Sequence, residues 1–105
     1  MNLSELNTIL KAAGYPVAYS HFKTIPSVPF VCYSVAYSSN FIADNQVTKR
    51  IDKVDIELYT DKKDIEAEQK IESILNEHGI PFQTVETYIN SEKLFQIIFE
   101  ITLIY

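Results

Sequence analysis

The sequence has little of what several large classes of protein need. It contains one cysteine, two glycines and no tryptophan among its 105 residues. A single cysteine, Cys32, cannot form a disulfide within the chain, so a disulfide-stapled scaffold is excluded. Phosphate-binding loops use glycine to bring the backbone close to the ligand, and both glycines here follow helical segments, where each is explained as a helix end. The composition therefore gives no support to a nucleotide-binding protein.

Positive charge is also scarce. The chain has 9 Lys and Arg residues against 14 Asp and Glu residues, which gives a formal net charge of -5. Sequence-independent binding to nucleic acid depends on Lys and Arg side chains that displace counterions from phosphates, and this balance is unfavourable to it. We expect that DNA near this protein passes without tight binding.

No apolar run approaches the ~20 residues needed to cross a bilayer, because Gln96, Glu100 and Thr102 interrupt the apolar C-terminal segment. The segment from Met1 to Asn7 has neither the basic residue nor the apolar run of a signal peptide. We therefore expect a soluble chain in a reducing cytoplasm, without a membrane partner. Its length predicts a single domain over residues 1–105, whose core needs no metal or disulfide.

Two helices are predicted. Asn2 and Glu5 have the spacing of a capping box, and apolar residues then recur at helical spacing. The second helix is expected to begin at Asp61 or Asp64 and to end at Gly79. Its predicted buried stripe consists of Ala67, Ile71, Ile74, Leu75 and His78.

Five strands are predicted from β-branched and aromatic segments between turn signals. They are Val17 to Phe22, Phe30 to Tyr37, Gln46 to Thr60, Phe82 to Tyr88 and Lys93 to Tyr105. The order α-β-β-β-α-β-β predicts an α+β fold in which an antiparallel β-sheet is covered on one face by two helices. The third segment would span roughly 50 Å if wholly extended at ~3.3 Å per residue, so part of its hairpin is expected to project.

Side chains able to do chemistry are scattered. Cys32 and His21 could meet as nucleophile and base. Cys32, however, alternates in phase with Phe30 and Ser34 on an apolar strand, where a buried thiol is ordinary. His78 lies in the last turn of a helix, where a cation interacts favourably with the dipole. We therefore predict no catalytic, cofactor-binding or metal-binding residues, and expect that the protein is not an enzyme.

Asp52, Asp55 and Glu57 are the nearest approach to a carboxylate cluster. Strict alternation places Asp55 and Glu57 on one strand face, opposite three apolar residues. Those apolar residues are Val54, Ile56 and Leu58. Solvated surface charge is the predicted role of the three carboxylates.

The last predicted strand is apolar on both faces, since Leu94, Ile98 and Ile104 alternate with an aromatic and aliphatic set. Two short helices can cover only one side of a sheet, so this surface must lie in a tight central strand or be covered by another subunit. The connection after the second strand carries Phe41 and Ile42, apolar residues with no evident reason to be exposed. We predict that these five residues make assembly contacts.

Three segments resemble a family of small proteins from tailed phages and prophages of Gram-positive bacteria. They are Asn40 to Asn45, Ile56 to Asp64 and Tyr88 to Lys93. The family looks like the tail-completion or tail-terminator proteins of the head-to-tail gene cluster. The resemblance covers nearly the whole chain, and none of its motifs is catalytic.

The resemblance implies a structural role at the virion head-tail junction, with assembly in the host cytoplasm. Subunits would form a ring, commonly a hexamer, that terminates or completes the tail tube and joins it to the head connector. The implied partners are other copies of the chain, the tail tube protein and the connector protein, with no cofactor. The alternatives are a small ferredoxin-like binding or regulatory domain, an enzyme that uses Cys32, and another neck component such as a head-completion protein.

Overall fold

Two helices and seven strands make up the part of the chain that the computed structural model describes, residues 1–43 and 46–105. In chain order they are α1 (Leu3–Lys11), β1 (Val17–Tyr19), β2 (Phe30–Ser38), β3 (Phe41–Ala43), β4 (Gln46–Lys49), β5 (Ile51–Thr60), α2 (Ile65–Glu77), β6 (Gln83–Ile89) and β7 (Leu94–Ile104). The predicted α+β class is confirmed.

The main sheet has the strand order β1-β2-β5-β7-β6. Neighbours are antiparallel except at one edge, where β1 lies parallel to β2 with Val17 beside Val31. The prediction of a wholly antiparallel sheet is therefore wrong at this edge. Ser20, at φ 67, ends β1 well before the predicted boundary. The chain from Ser20 to Pro29 then returns to the same end of the sheet, as a parallel pair requires.

The predicted strand from Gln46 to Thr60 is two strands, and the predicted polar connection before it contains a further strand, β3. The interruption lies at Arg50, whose backbone N–H and C=O both pair with Tyr105 at 2.7 and 2.9 Å. β3 and β4 pair with each other in a separate two-stranded sheet. The molecule is elongated, 49 × 29 × 23 Å, as expected if this hairpin extends beyond the main sheet.

Both helices pack on one face of the main sheet. Leu6 and Leu10 of α1 are fully buried, as are Ala67, Ile71 and Leu75 of α2. The sheet contributes alternate residues of its central strands: Val31, Val54, Ile56, Leu58, Ile97, Phe99, Ile101 and Leu103. Each fully buried aliphatic or aromatic side chain contributes about 1.5–3 kcal/mol through its removal from water, so these alternating positions hold the helices on the sheet.

Both helices begin at the residues that the sequence signals predict, but one residue of the predicted buried stripe of α2 is exposed. The capping box is present, since the Glu5 N–H donates to Asn2 Oδ1 at 2.9 Å and the Asn2 N–H donates to Glu5 Oε1 at 3.2 Å. Asp64 caps α2 by accepting from the Ala67 N–H at 3.0 Å. His78 is exposed at the C-terminal cap of α2, so its predicted place in the buried stripe is wrong.

Candidate assembly surfaces

The face of the main sheet opposite the helices carries the residues that alternate with the core positions. One row across it consists of Cys32, Glu57, Ile98 and Val85, which are register partners on β2, β5, β7 and β6. We call this surface the open face and define it by three such rows. They are Phe30, Tyr59, Gln96 and Thr87; Cys32, Glu57, Ile98 and Val85; and Ser34, Asp55, Glu100 and Gln83.

A hydrogen-bonded cluster lies on the open face. The Tyr59 hydroxyl donates to Glu57 Oε2 at 2.7 Å, and Gln96 Nε2 donates to the same carboxylate oxygen and to the Tyr59 hydroxyl oxygen, both at 2.9 Å. Burial raises the pKa of the Tyr59 phenol, and its hydrogen bond to the Glu57 carboxylate raises that pKa further. The protonated phenol donates to Glu57 at neutral pH, and the cluster is a hydrogen-bonded polar patch between apolar residues.

One end of the open face is covered by aromatic rings. The Phe22 ring packs edge-on against Phe30 with centroids 5.6 Å apart, and Phe30 stacks on Tyr59 at 4.9 Å. Phe22 belongs to the segment that returns from β1 to β2, so that segment protects this end of the sheet. Phe30 and the neighbouring Cys32 are buried, even though both belong to the open face.

Cys32 and His21, considered together in the sequence as nucleophile and base, have separate environments. Burial, followed by the negative charge of Glu57, raises the pKa of the Cys32 thiol to about 11. His21 is exposed, and its Nδ1 lies 3.1 Å from the hydroxyl oxygen of Ser20. A reactive cysteine needs a thiolate, so the environment of Cys32 is that of an inert structural thiol.

Asp52 is a site that the sequence interpretation missed. It is fully buried, and its carboxylate accepts from the Ser38 hydroxyl at 2.5 Å, the Tyr105 hydroxyl at 2.6 Å and Arg50 Nε at 3.2 and 3.3 Å. The Ser38 hydroxyl, followed by the Tyr105 hydroxyl, lowers the pKa of this carboxyl. The prediction of solvated charge is therefore wrong for Asp52. A signal was present, because Asp52 is in phase with Val54 and the other buried residues of β5.

The five predicted assembly residues fall in two regions. Leu94, Ile98 and Ile104 share the side of β7 that faces away from the helices; the first two are half-buried, and Ile104 is 51% exposed. The opposite side of β7 packs into the core, as its alternation predicted. Phe41 and Ile42 belong to β3, but their side chains lie outside the described residues.

A further surface is formed by strand edges. Every residue of β6 from Gln83 to Tyr88 is exposed, and β6 is the last strand of the main sheet on that side. Its pairing with β7 stops at Glu100, whereas β7 continues beside β5 as far as Ile104. We call the outer side of β6, together with the same side of β7 from Ile101 to Ile104, the open edge.

A trough of about 540 Å³ crosses the open face next to this edge. Its lining mixes apolar and polar side chains, and within it Lys53 Nζ donates to Thr102 Oγ1 at 2.8 Å. Asp55, Gln83 and Glu100 complete its polar lining. The trough is therefore of mixed charge and partly apolar.

Within residues 1–43 and 46–105, no group of three or more His, Cys, Asp or Glu side chains is arranged to hold a metal ion. Neither helix in that part of the chain has the length and apolar character needed to span a membrane. A comparison with models of known protein families finds none that matches, and no curated protein matches the chain either. What supports a function is therefore the geometry of these surfaces and the resemblance of the three segments.

Proposed function

We propose that the chain is a structural protein of the head-tail junction of a tailed phage. Its copies form a ring, commonly of six, that terminates or completes the tail tube and meets the head connector. The resemblance of Asn40 to Asn45, Ile56 to Asp64 and Tyr88 to Lys93 to tail-completion and tail-terminator proteins supports this role.

One observation carries the proposal: the chain presents two different surfaces suited to association. The open edge lies on the β6 side of the main sheet, whereas the β3–β4 hairpin forms a sheet of its own and leads into β5. A ring closes by a heterologous interface, in which one surface of a subunit meets a different surface of its neighbour. A chain with two unlike association surfaces has what that interface requires.

The open face supports association as well. It combines apolar side chains such as Val85, which is 45% exposed, with the hydrogen-bonded cluster around Glu57. Interfaces commonly place such apolar residues beside a few polar groups that fix orientation. The inert environment of Cys32 favours a structural protein over an enzyme that uses this thiol.

The charge of the chain fits a conduit for DNA. A net charge of -5 for each copy repels phosphates over about a Debye length, ~8–10 Å at physiological salt. A genome would pass through a ring of such subunits without adhering to its wall.

The experiment is deletion of the gene from the genome that carries it, followed by induction and electron microscopy of the released particles. We expect DNA-filled heads and separate tails in the deletion strain, and joined particles once the gene is supplied in trans. A normal yield of joined particles from the deletion strain, or the absence of phage particles from the parent strain, would contradict the proposal.

The trough favours a second candidate, a small ferredoxin-like binding domain, because polar groups from several strands converge in it. Small-molecule sites, however, are mostly apolar concavities that bury most of the ligand, whereas this trough is open to solvent and carries charges of both signs. A thermal-shift screen with pooled metabolites tests this candidate. A reproducible rise in melting temperature that Lys53→Ala abolishes would favour it over the structural role.

A further inference from the structure

Asp52 is a charged residue in a buried row of β5. It is in phase with Val54, Ile56 and Leu58, and all four side chains are buried. Removing a carboxylate from water costs free energy unless its oxygens are fully hydrogen-bonded, whereas an apolar residue at such a position avoids that cost. The stability of the core alone therefore does not account for a carboxylate here.

This carboxylate lies where the main sheet meets the β3–β4 hairpin. The pairing of β2 with β5 ends at Ser38 and Asp52. The pairing of β3 with β4 begins at Phe41 and Lys49 in the same register, so the hairpin continues the β2–β5 ribbon. A register shift follows between Phe41 and Ile42, and such irregularities bend a strand.

The backbone pairing is also irregular in the four residues between those pairs. We call them the joint: Ser39, Asn40, Arg50 and Ile51. The Ser39 N–H donates to the Ile51 C=O at 2.8 Å, but the Ile51 N–H donates to the Asn40 side-chain oxygen at 3.4 Å. A regular antiparallel pair exchanges two backbone hydrogen bonds. A long side-chain bond in place of a backbone bond makes the joint a point where the ribbon can turn.

The Asp52 carboxylate spans this joint. It accepts from the Ser38 hydroxyl on β2 at 2.5 Å and from Arg50 Nε in the joint at 3.2 and 3.3 Å. It also accepts from the Tyr105 hydroxyl at 2.6 Å. The backbone of Tyr105, directly after β7, pairs with that of Arg50 at 2.7 and 2.9 Å. The end of β2, the joint and the end of β7 are thus held to one buried group.

From these contacts we infer that Asp52 is a positioning residue, whose carboxylate fixes the direction of the β3–β4 hairpin relative to the main sheet. A buried polar network favours the one arrangement that satisfies all of its members. Loss of the carboxylate leaves the apolar core in place and frees the hairpin to turn about the joint. A hairpin of fixed direction loses less conformational entropy when it contacts a partner, as an association surface requires.

Distances between two spin labels test the direction of the hairpin. One nitroxide at Lys49→Cys on β4 and another at Lys11→Cys on α1 occupy exposed positions, and Cys32 stays in place because it is buried. Unlabelled chain in excess restricts the measured pairs to those within one copy. We expect one narrow distance distribution in the parent chain, and a broader one in both Asp52→Asn and Asp52→Val.

Asp64→Ala is the matched control, because it removes the cap of α2 and lowers stability away from the joint. We expect its distance distribution to match that of the parent. If Asp52 acted on stability alone, the hairpin would keep its direction in every folded molecule. The width of the distribution therefore separates positioning from stabilisation.

Amide hydrogen exchange gives a second readout on Asp52→Val, which keeps a buried side chain in the row. The amides of Ser39, Arg50 and Tyr105 should exchange roughly tenfold faster or more than in the parent, because their local opening no longer breaks the bonds to the carboxylate. The Ile56 amide, in the centre of β5, should change only as far as overall stability changes.

A broader distribution in the Asp52 variants, with faster exchange at the joint, supports the inference. Distributions as narrow as that of the parent overturn it, as does a broad distribution in the parent itself. Failure of both variants to fold also overturns it, since the inference requires that the sheet fold without this carboxylate. Every readout is taken within one copy of the chain, so the proposed ring is decided separately by the gene deletion.

Discussion

Asp52 shows at the scale of a single residue how the structure uses a buried carboxylate. Three side chains from different segments, Ser38, Arg50 and Tyr105, converge on it. They tie the end of β2 and the end of the chain's last strand to the start of β5. The ion pair with Arg50 contributes little because the Arg50 side chain is 53% exposed, so the two hydroxyl donors provide most of the stabilisation.

Asp52→Asn tests this network. An amide presents one oxygen where the carboxylate presents two, so at least one hydroxyl donor loses its acceptor. We expect the free energy of unfolding at pH 7 to fall by about 1–3 kcal/mol in urea titrations. The exposed Asp61→Asn is the matched control and should leave stability unchanged.

The pH dependence of this effect has a defined sign. The pKa of Asp52 lies below the ordinary 3.8, so its stabilisation is fully present above pH 3.8 and is lost as the pH falls through the lower folded-state value. The difference between the parent and Asp52→Asn should therefore shrink in titrations repeated at pH 3. A difference that is the same at both pH values would mean that the charge of Asp52 has no part in it.

Cys32 gives a second prediction for a single side chain. With its pKa raised from 9.0 to about 11, the thiol at pH 8 has about a hundredfold less thiolate than an exposed cysteine. Alkylation by iodoacetamide should be slower by at least that factor in the native protein than in urea. Equal rates in the two states would show that Cys32 is accessible, and a faster rate in the native protein would restore the enzyme hypothesis.

At the scale of elements, the sequence predicts correctly the helix caps and the strand faces that depend on neighbouring residues. The capping box at Asn2, the alternation of β5 and the buried face of β7 follow from residues close together in the chain. The break at Arg50 could not be predicted in this way, because it depends on pairing with Tyr105 at the far end of the chain. The parallel position of β1 likewise depends on where the segment from Ser20 to Pro29 leads.

The start of α2 shows a choice that sequence left open and structure resolved. Asp61 and Asp64 both suit a helix cap, and the structure assigns the hydrogen bond from the Ala67 N–H to Asp64. Asp64→Ala should destabilise the protein by about 1 kcal/mol, whereas Asp61→Ala should have little effect. Thermal melts of the two variants beside the parent measure this. Equal losses of stability would show that Asp64 is not the cap of α2.

The candidate surfaces could be predicted from the sequence only in part. The apolar character of Ile98 and Ile104 on the second side of β7 was evident from alternation. The open edge was not, because which strand lies last in a sheet depends on the order of all strands. The separation of β3 and β4 into their own sheet also required the structure.

At the scale of the whole molecule, the main feature is the sheet surface that the helices leave uncovered. The main sheet is covered by helices on one face, carries a mixed apolar and polar surface on the other, and ends in an unprotected strand. The β3–β4 hairpin forms a second sheet that continues the pairing of β2 with β5. These uncovered surfaces are the ones that the proposed ring would cover.

Native mass spectrometry of the purified chain over a wide range of concentration tests the central claim, that unlike surfaces of this protein close into a ring. The account predicts monomer and one closed assembly of fixed stoichiometry, whose mass stops increasing once it has formed. A closed ring leaves no free surface for further addition, whereas unlike surfaces that fail to close give open filaments of increasing length. A monomer at every concentration, or a continuous series of growing masses, would contradict the account.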